Sequence, residues 1–216
     1  SKVGKFSKKV KIFEINKTKI KTSKKRYYKI FKIYDGRIST DFVENVAIID
    51  KNRIINDASF QQVNGCLKSA KYNAAINNGT PYFQKRITGR VLSLTQGASG
   101  HTNYFHWLFD ILPKIKIYSE KFDPKKLDFF YMSKLLDYQK KTLSYLGLAD
   151  IKVLDASKYK HIISDEIIAV EHPWYNSGYI QKEVGKLPSW IIHWLRKEFL
   201  SFQKSFIPTF QNSKKH

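Results

Sequence analysis

The sequence predicts an α/β protein in which an N-terminal β-meander is followed by a Rossmann-like, mainly parallel sheet with helices. Two patterns lead to this prediction. Before residue 90, short apolar runs are separated by turn residues, which is typical of a strand meander. After residue 90, strand-like and helix-like segments alternate, and a β-α-β-α-β order implies parallel strands joined by right-handed crossovers.

The composition indicates a folded chain with a strong basic bias. The 216 residues are 42% hydrophobic and carry a net charge of +21. Residues 1–32 contain thirteen Lys or Arg and one acidic residue, Glu14, so this stretch favours anionic partners. Only six of the 39 basic residues are Arg and no nucleic-acid motif accompanies them, which argues against nucleic acid as a partner.

The first segment, residues 1–27, alternates Lys with apolar residues and is interpreted as a basic arm. Two arrangements fit this alternation. It could form an edge strand protected by lysines, or it could lie on an acidic surface such as the inner face of a membrane.

The β-rich segment covers residues 28–89. A strand is predicted over residues 28–34, ending at an Asp35–Gly36 turn. Two further strands flank Lys51–Asn52, which has the length of a tight hairpin turn.

The α/β segment covers residues 90–206, and residues 207–216 are interpreted as a tail or a linker. Strands are predicted at 91–95, 127–132, 151–154 and 166–170, and helices at 103–119, 134–146 and 189–204. Gly147 occupies the C′ position of the second helix, and Pro188 precedes the last.

The helix at 103–119 carries one polar stripe on a mostly apolar surface. Asn103, His106 and Asp110 fall together on a helical wheel, with Asn103 or Thr102 as N-cap and Pro113 expected to kink or end the regular part. His106 and Asp110 are i,i+4 neighbours, so the carboxylate can orient or charge the imidazole. The same spacing also fits a buried pair with a purely structural role.

The run from Asn103 to Pro113 resembles the signature of family 61 glycosyltransferases, which include bacterial capsular polysaccharide biosynthesis proteins. That signature is Asn-Tyr-(aromatic)-His-Trp-(apolar)-(any)-Asp-(any)-(apolar)-Pro, and the chain matches its six distinctive positions. A likeness around the second helix extends the resemblance to roughly residues 90–170. The fold it implies is the N-terminal, acceptor-side half of a two-domain (GT-B) glycosyltransferase.

The resemblance implies inverting transfer of a sugar from a nucleotide sugar to a glycan acceptor. His106 and Asp110 would be the catalytic pair, with the choice of base left open. The acceptor-binding residues would be His101, Asn103, Tyr104 and Trp107. The loop after the last strand adds Trp174 and Tyr175, which could stack on a sugar ring or plug the edge of the sheet.

The motifs of the family's donor-binding half are not in this sequence. We therefore expect no cofactor within this chain, with the nucleotide sugar held by a missing C-terminal domain or by a partner chain, and no activity from this chain alone. One cysteine and scattered histidines give no zinc-ligand spacing, so no metal is expected either.

The location expected from the sequence is cytoplasmic, with the protein peripheral at the inner face of the membrane. The single Cys66 suits a reducing compartment, and no apolar run approaches the ~18 residues of a membrane span. The alternative function is a non-catalytic module that binds a glycan or an anionic surface.

Overall fold

The computed structural model describes residues 7–16, 27–41, 45–95, 103–175 and 178–206. Within these residues the protein is built on one mixed sheet of 11 strands in the order β11-β6-β5-β3-β2-β10-β7-β8-β9, with β1 paired to β2 and β4 paired to β3. The α/β prediction is confirmed. The predicted tail at 207–216 lies outside the described residues.

The strands and helices follow one another along the chain with the following bounds. The strands are β1 Val10–Asn16, β2 Tyr27–Thr40, β3 Asn45–Asp50, β4 Arg53–Ile54, β5 Phe60–Val63, β6 Cys66–Lys68, β7 Lys85–Ser93, β8 Phe129–Met132, β9 Lys152–Asp155, β10 His161–Val170 and β11 Gly178–Tyr179. The helices are α1 Ala74–Asn77, α2 from Tyr104 to Ser119, α3 Asp137–Tyr145, α4 Ile180–Glu183 and α5 Ser189–Phe206, with short 3₁₀ turns at Asn56–Ala58, Ala70–Tyr72, Pro124–Lys126 and Val184–Lys186.

Part of the predicted basic arm is a strand of the sheet. β1 runs antiparallel to β2, with Val10 opposite Ile33 and Asn16 opposite Tyr27. Of the two arrangements considered for this segment, the edge strand is the one found for residues 10–16.

The predicted turn at Asp35–Gly36 is wrong, because β2 continues through both residues. β10 pairs with β2 on both sides of this point, from Ser39 to Ile30, and these backbone hydrogen bonds hold the chain extended. Asp35 accommodates the local bend with a left-handed φ of 51°. The hairpin at Lys51–Asn52 is confirmed, since Asp50 pairs with Arg53 across it.

The parallel part of the sheet consists of β10, β7, β8 and β9, side by side in that order. All four predicted strands of the α/β segment are present, although β7 and β10 begin earlier than expected. The β-rich and α/β segments share one sheet, because the long strand β2 joins β10 to β3.

Helices α2, α3 and α5 cover one face of the sheet. Their apolar side chains pack on Leu92, Phe130 and Ile168, while Val91 and Ile167 point to a second core on the opposite face. A third apolar cluster holds the loop after β10 and includes Trp174 and Tyr175. No helix in the described ranges is long and apolar enough to cross a membrane.

Helix α3 ends as the sequence predicts. Gly147 has a φ of 69°, its N–H bonds to the carbonyl of Ser144, and the N–H of Leu148 bonds to the carbonyl of Leu143. This pair of bonds is the Schellman motif, which favours glycine because of its positive φ.

Candidate active site

Helix α2 begins at the capping residue that the sequence predicts. The side-chain Oδ1 of Asn103 accepts a hydrogen bond of 2.8 Å from the backbone N–H of Phe105, which fixes the first turn. The other candidate cap, Thr102, lies outside the described residues.

The middle of α2 is a π-helical turn. The helix is α-helical over Tyr104–His106, π-helical over Trp107–Ile111, and α-helical again over Leu112–Ser119. Of the two outcomes expected at Pro113, an end of the helix is not found, because the helix continues to Ser119; the regular α-helical part is instead interrupted by the π turn before the proline. Proline lacks an N–H and crowds the carbonyl four residues before it, and the widened turn accommodates this defect. π turns of this kind are frequent at functional sites.

Asp110 lies within the π turn and is the centre of a buried polar network. Its carboxylate is 1% exposed. Oδ2 is 2.6 Å from Nδ1 of His106, and Oδ1 accepts a 2.6 Å hydrogen bond from the indole Nε1 of Trp174. Nε2 of His172 is 3.6 Å from the same Oδ1.

These donors decide the charge of Asp110. Burial by itself raises the pKa of a carboxyl, but the imidazoles of His172 and His106 outweigh burial and hold the pKa of Asp110 below its usual range. Asp110 is therefore a carboxylate at neutral pH. At 2.6 Å from this carboxylate, Nδ1 of His106 carries a proton, because two lone pairs facing each other would repel.

His172 has the opposite tautomer. Its Nδ1 accepts hydrogen bonds from the backbone N–H groups of Tyr175, at 3.0 Å, and Trp174, at 3.4 Å. The proton of the neutral ring is therefore on Nε2, which faces Asp110. Two imidazoles thus present an N–H to one carboxylate, one through Nδ1 and the other through Nε2.

His106 is the member of this network closest to solvent. Its side chain is 18% exposed, whereas those of Asp110 and His172 are 1% exposed. Because Nδ1 donates to Asp110, the lone pair of His106 is on Nε2, for which the described residues provide no hydrogen-bond partner. The arrangement can take a proton from a hydroxyl that reaches Nε2.

Lys114 is four residues beyond Asp110 and fully buried. Burial lowers the pKa of its ammonium group to about 7, and the nearby charge of Asp110 opposes that shift. His106, Asp110 and Lys114, at successive intervals of four, thus form a polar row that leads from the surface into the core.

The structure places the predicted acceptor-binding residues at different depths. Tyr104 is 61% exposed at the start of α2, and its ring lies 5.2 Å from that of Tyr138 on α3. Asn103 is exposed and caps the helix. His101 lies outside the described residues.

The predicted sugar-stacking roles do not fit the positions of the other aromatic residues. Trp107 is fully buried, with its indole Nε1 3.4 Å from Oγ1 of Thr142. Trp174 and Tyr175 are also buried, and their rings stack on each other at 5.4 Å. The hydroxyl of Tyr175 accepts from the N–H of Leu67, so this loop plugs the edge of the sheet.

Two residues of this region, His172 and Lys114, have no role in the sequence-based prediction of the site, and a third, Trp174, has a role different from the predicted one. His172 and Trp174 reach Asp110 from a loop more than sixty positions away, and only the second was named, with a different role. The signal for His172 is its place directly after a parallel strand, where ligand-site residues concentrate. The signal for Lys114 is its i,i+4 spacing from Asp110 in the polar stripe.

Comparisons of the chain with models of protein families, with curated proteins and with solved structures found no match. Across the part of the chain that the structure describes, no group of three or more His, Cys, Asp or Glu side chains is arranged to hold a metal ion.

Proposed function

We propose that this chain is the acceptor-side half of an inverting glycosyltransferase of the family 61 type, with His106 as the general base. The observation that carries the proposal is the saturation of Asp110. Both of its oxygens are occupied, by His106 and by Trp174, and its side chain is 1% exposed. Asp110 therefore has no free oxygen for an acceptor hydroxyl, whereas Nε2 of His106 has a lone pair and partial exposure.

In the proposed reaction, Nε2 of His106 takes the proton of an acceptor hydroxyl. The oxygen of that hydroxyl forms a bond to the anomeric carbon of the donor sugar as the bond from that carbon to the nucleotide phosphate breaks. The electron pair of the broken bond leaves with the nucleotide, and His106 holds the proton as an imidazolium. A base positioned in this way typically contributes about 10²–10⁴-fold to the rate.

Asp110 and its other donors act through His106. The carboxylate fixes the imidazole with Nδ1–H inward and Nε2 outward, and its charge stabilises the imidazolium that forms. Trp174 and His172 in turn hold the carboxylate in place. These residues are positioning groups, and they do not touch the acceptor.

The acceptor would bind around the first turn of α2. Tyr104 offers an exposed ring and hydroxyl two residues before His106, and its ring packs against that of Tyr138. Asn103 keeps its amide nitrogen for a sugar hydroxyl while its oxygen caps the helix. We also propose that His101 contacts the acceptor.

In this proposal the nucleotide-sugar donor is not bound by the described part of this chain. The nucleotide sugar would be held by a second domain, arranged as in GT-B enzymes and supplied by further sequence or by a partner chain. The order β7-α2-β8-α3-β9 supports the comparison with one Rossmann-like half of such an enzyme. We place the activity in the cytoplasm, since a chain whose one cysteine, Cys66, is buried and forms no disulfide suits a reducing compartment.

The proposal is tested by isothermal titration of the chain with oligosaccharides and, separately, with nucleotides and nucleotide sugars. Binding of an oligosaccharide without binding of a nucleotide is expected. Tight binding of one nucleotide would show that this domain holds its own donor site and would overturn the assignment to the acceptor side.

A second experiment separates a catalyst from a binding module that uses the same cleft. Sugar transfer is measured for the chain together with its donor-binding partner, comparing His106→Gln with the wild type. A base predicts a loss of transfer of about 10²-fold or more with a nearly unchanged melting temperature. A structural or binding role predicts unchanged transfer, or a loss only in proportion to lost stability.

A further inference from the structure

The end of the sheet opposite the candidate active site carries two exposed aromatic side chains. Tyr82 and Phe83 lie in the loop that leads into β7 and are 92% and 87% exposed. Their rings pack against each other edge to face, with centroids 5.5 Å apart. Each aromatic ring brings about 150–250 Å² of mostly apolar surface, so the pair forms an apolar tip that water solvates poorly.

The loop that carries this tip is tied to the body of the sheet. Nδ1 of His161 donates a 2.8 Å hydrogen bond to the carbonyl of Pro81, next to Tyr82. The guanidinium of Arg37 lies 3.4 Å from Nε2 of His161 and 3.4 Å from the hydroxyl of Thr80. Because these contacts anchor the loop at Thr80 and Pro81, directly before Tyr82, they restrict the position of the aromatic pair.

A basic groove lies beside the tip. It has a volume of about 520 Å³ and runs between the Pro81–Lys85 loop and the segment before β10. Lys85, Lys158 and Lys160 line it, all are exposed, and none forms an ion pair with another described residue. Their three charges are therefore available to an anionic partner.

We propose that this tip and groove form a docking site for an anionic phospholipid surface. Tyr82 and Phe83 would enter the interfacial layer of the bilayer, where aromatic side chains concentrate. The three lysines would contact headgroup phosphates, since basic residues near an acidic leaflet each add about fivefold to binding. This proposal does not depend on the sugar-transfer activity.

The geometry favours a lipid over an acidic glycan. Phe83 and Tyr159 line the groove, but Tyr82 lies outside it, and Phe83 is 87% exposed and stands edge to face with Tyr82. The pair therefore protrudes from the groove and does not form the flat wall on which a sugar would stack. Two protruding rings next to a cluster of lysines instead match the order of layers at a membrane surface, with apolar chains below and phosphates above.

Docking at this surface would direct the candidate active site away from the membrane. The groove borders His161, where β10 begins, and His172 follows the end of the same strand. Ten residues of strand span about 30 Å, so His106 and its network would face the aqueous side at roughly that distance from the lipid.

The test is sedimentation of the full chain with phosphatidylcholine vesicles and with vesicles that also contain phosphatidylglycerol. Two variants are compared, Tyr82→Ser/Phe83→Ser and Lys85→Gln/Lys158→Gln/Lys160→Gln. Controls are Tyr72→Ser, another exposed aromatic residue, and Lys126→Gln/Lys141→Gln/Lys152→Gln, three exposed lysines elsewhere. Unchanged melting temperatures establish that every variant is folded.

The wild type is expected to bind only the vesicles that contain phosphatidylglycerol. Binding should fall about a hundredfold in the variant without the three groove lysines and at least about tenfold in the variant without the aromatic pair, with both controls close to the wild type. Equal losses in the controls, or binding that both groove variants retain, would assign the effect to the basic N-terminal residues instead. Binding to heparin in place of vesicles, lost in the same variants, would assign the surface to a glycan and overturn the proposal.

Discussion

Two aspartates, one within strand β2 and one on helix α2, show how differently a carboxylate can be used in this protein. Asp35 is about half exposed and contacts Lys9 and Arg86. Asp110 is buried and contacts His106 and Trp174. Lys9 and Arg86 lower the pKa of Asp35 in water, whereas the donors of Asp110 must first overcome the effect of burial.

The two aspartates differ in what the protein loses when a partner is removed. Water can replace the partners of Asp35 if they are lost, so the ion pairs there add little to stability. No water replaces the partners of a buried carboxylate, and every donor that is removed leaves a charge or a polar group unsatisfied. The Asp110 network is therefore rigid, as the positioning of a base requires.

The largest effect is expected from Asp110→Asn. The amide keeps one acceptor oxygen but turns an NH₂ group toward a donor, so the free energy of unfolding should fall by about 3 kcal/mol or more. Denaturant titration at pH 7 measures this change. A loss within experimental error would show that the network is not under the constraint described above.

A smaller effect is expected from Trp174→Phe, which removes one donor and keeps an aromatic ring in the same core. A hydrogen bond to a charged group contributes about 1.5–3 kcal/mol, and the variant should lose an amount in this range.

Trp174→Phe should also change how the free energy of unfolding depends on pH in the acid range, the acid limb of the stability curve. Because the pKa of Asp110 is lowered by folding, its contribution is present above the unfolded value of about 3.9 and is lost as the pH falls through the folded value. Without the indole donor the folded pKa rises toward the unfolded value, so the loss should be smaller and should be complete at a higher pH. An acid limb that superimposes on that of the wild type would contradict the role of Trp174.

Because of Lys114, we expect the free energy of unfolding to depend on pH above neutrality. Its pKa is about 7 in the folded protein and about 10.4 when unfolded, so between these values the unfolded chain binds one more proton. The free energy of unfolding should therefore increase with pH from about 7 to about 10. Lys114→Met should remove this slope, and a slope that persists in the variant would assign it to other groups.

The smallest effect is expected from Asp35→Asn, the exposed counterpart of the first variant. Asparagine tolerates the left-handed φ of this position, so the backbone should not be strained. The midpoint of unfolding should change little, and any change should diminish as salt is added. A loss comparable to that of Asp110→Asn would remove the distinction between the exposed and the buried aspartate.

Local signals in the sequence predicted the elements that local contacts determine. The cap at Asn103, the pairing of His106 with Asp110 and the glycine end of α3 each depend on residues within one or two helical turns. The hairpin at Lys51 is of the same kind.

Features that depend on distant partners could not be predicted in the same way. The turn chemistry of Asp35–Gly36 is overridden because β10 pairs with β2 on both sides of it. The strand predicted at 91–95 begins six residues earlier, because β10 supplies backbone partners from Lys85 onward. Trp174 lies 64 positions from Asp110, so its role as a donor follows only from the fold.

The central claim is that Asp110 orients His106 with Nε2 as the proton acceptor, and ¹⁵N NMR of the imidazole rings tests it most directly. In long-range ¹H–¹⁵N spectra of the neutral rings, His106 should appear as the Nδ1–H tautomer and His172 as the Nε2–H tautomer. In Asp110→Asn, His106 should shift toward the Nε2–H form that free imidazole prefers. If His106 is already the Nε2–H tautomer in the wild type, its lone pair faces the carboxylate, and it cannot be the base proposed for this site.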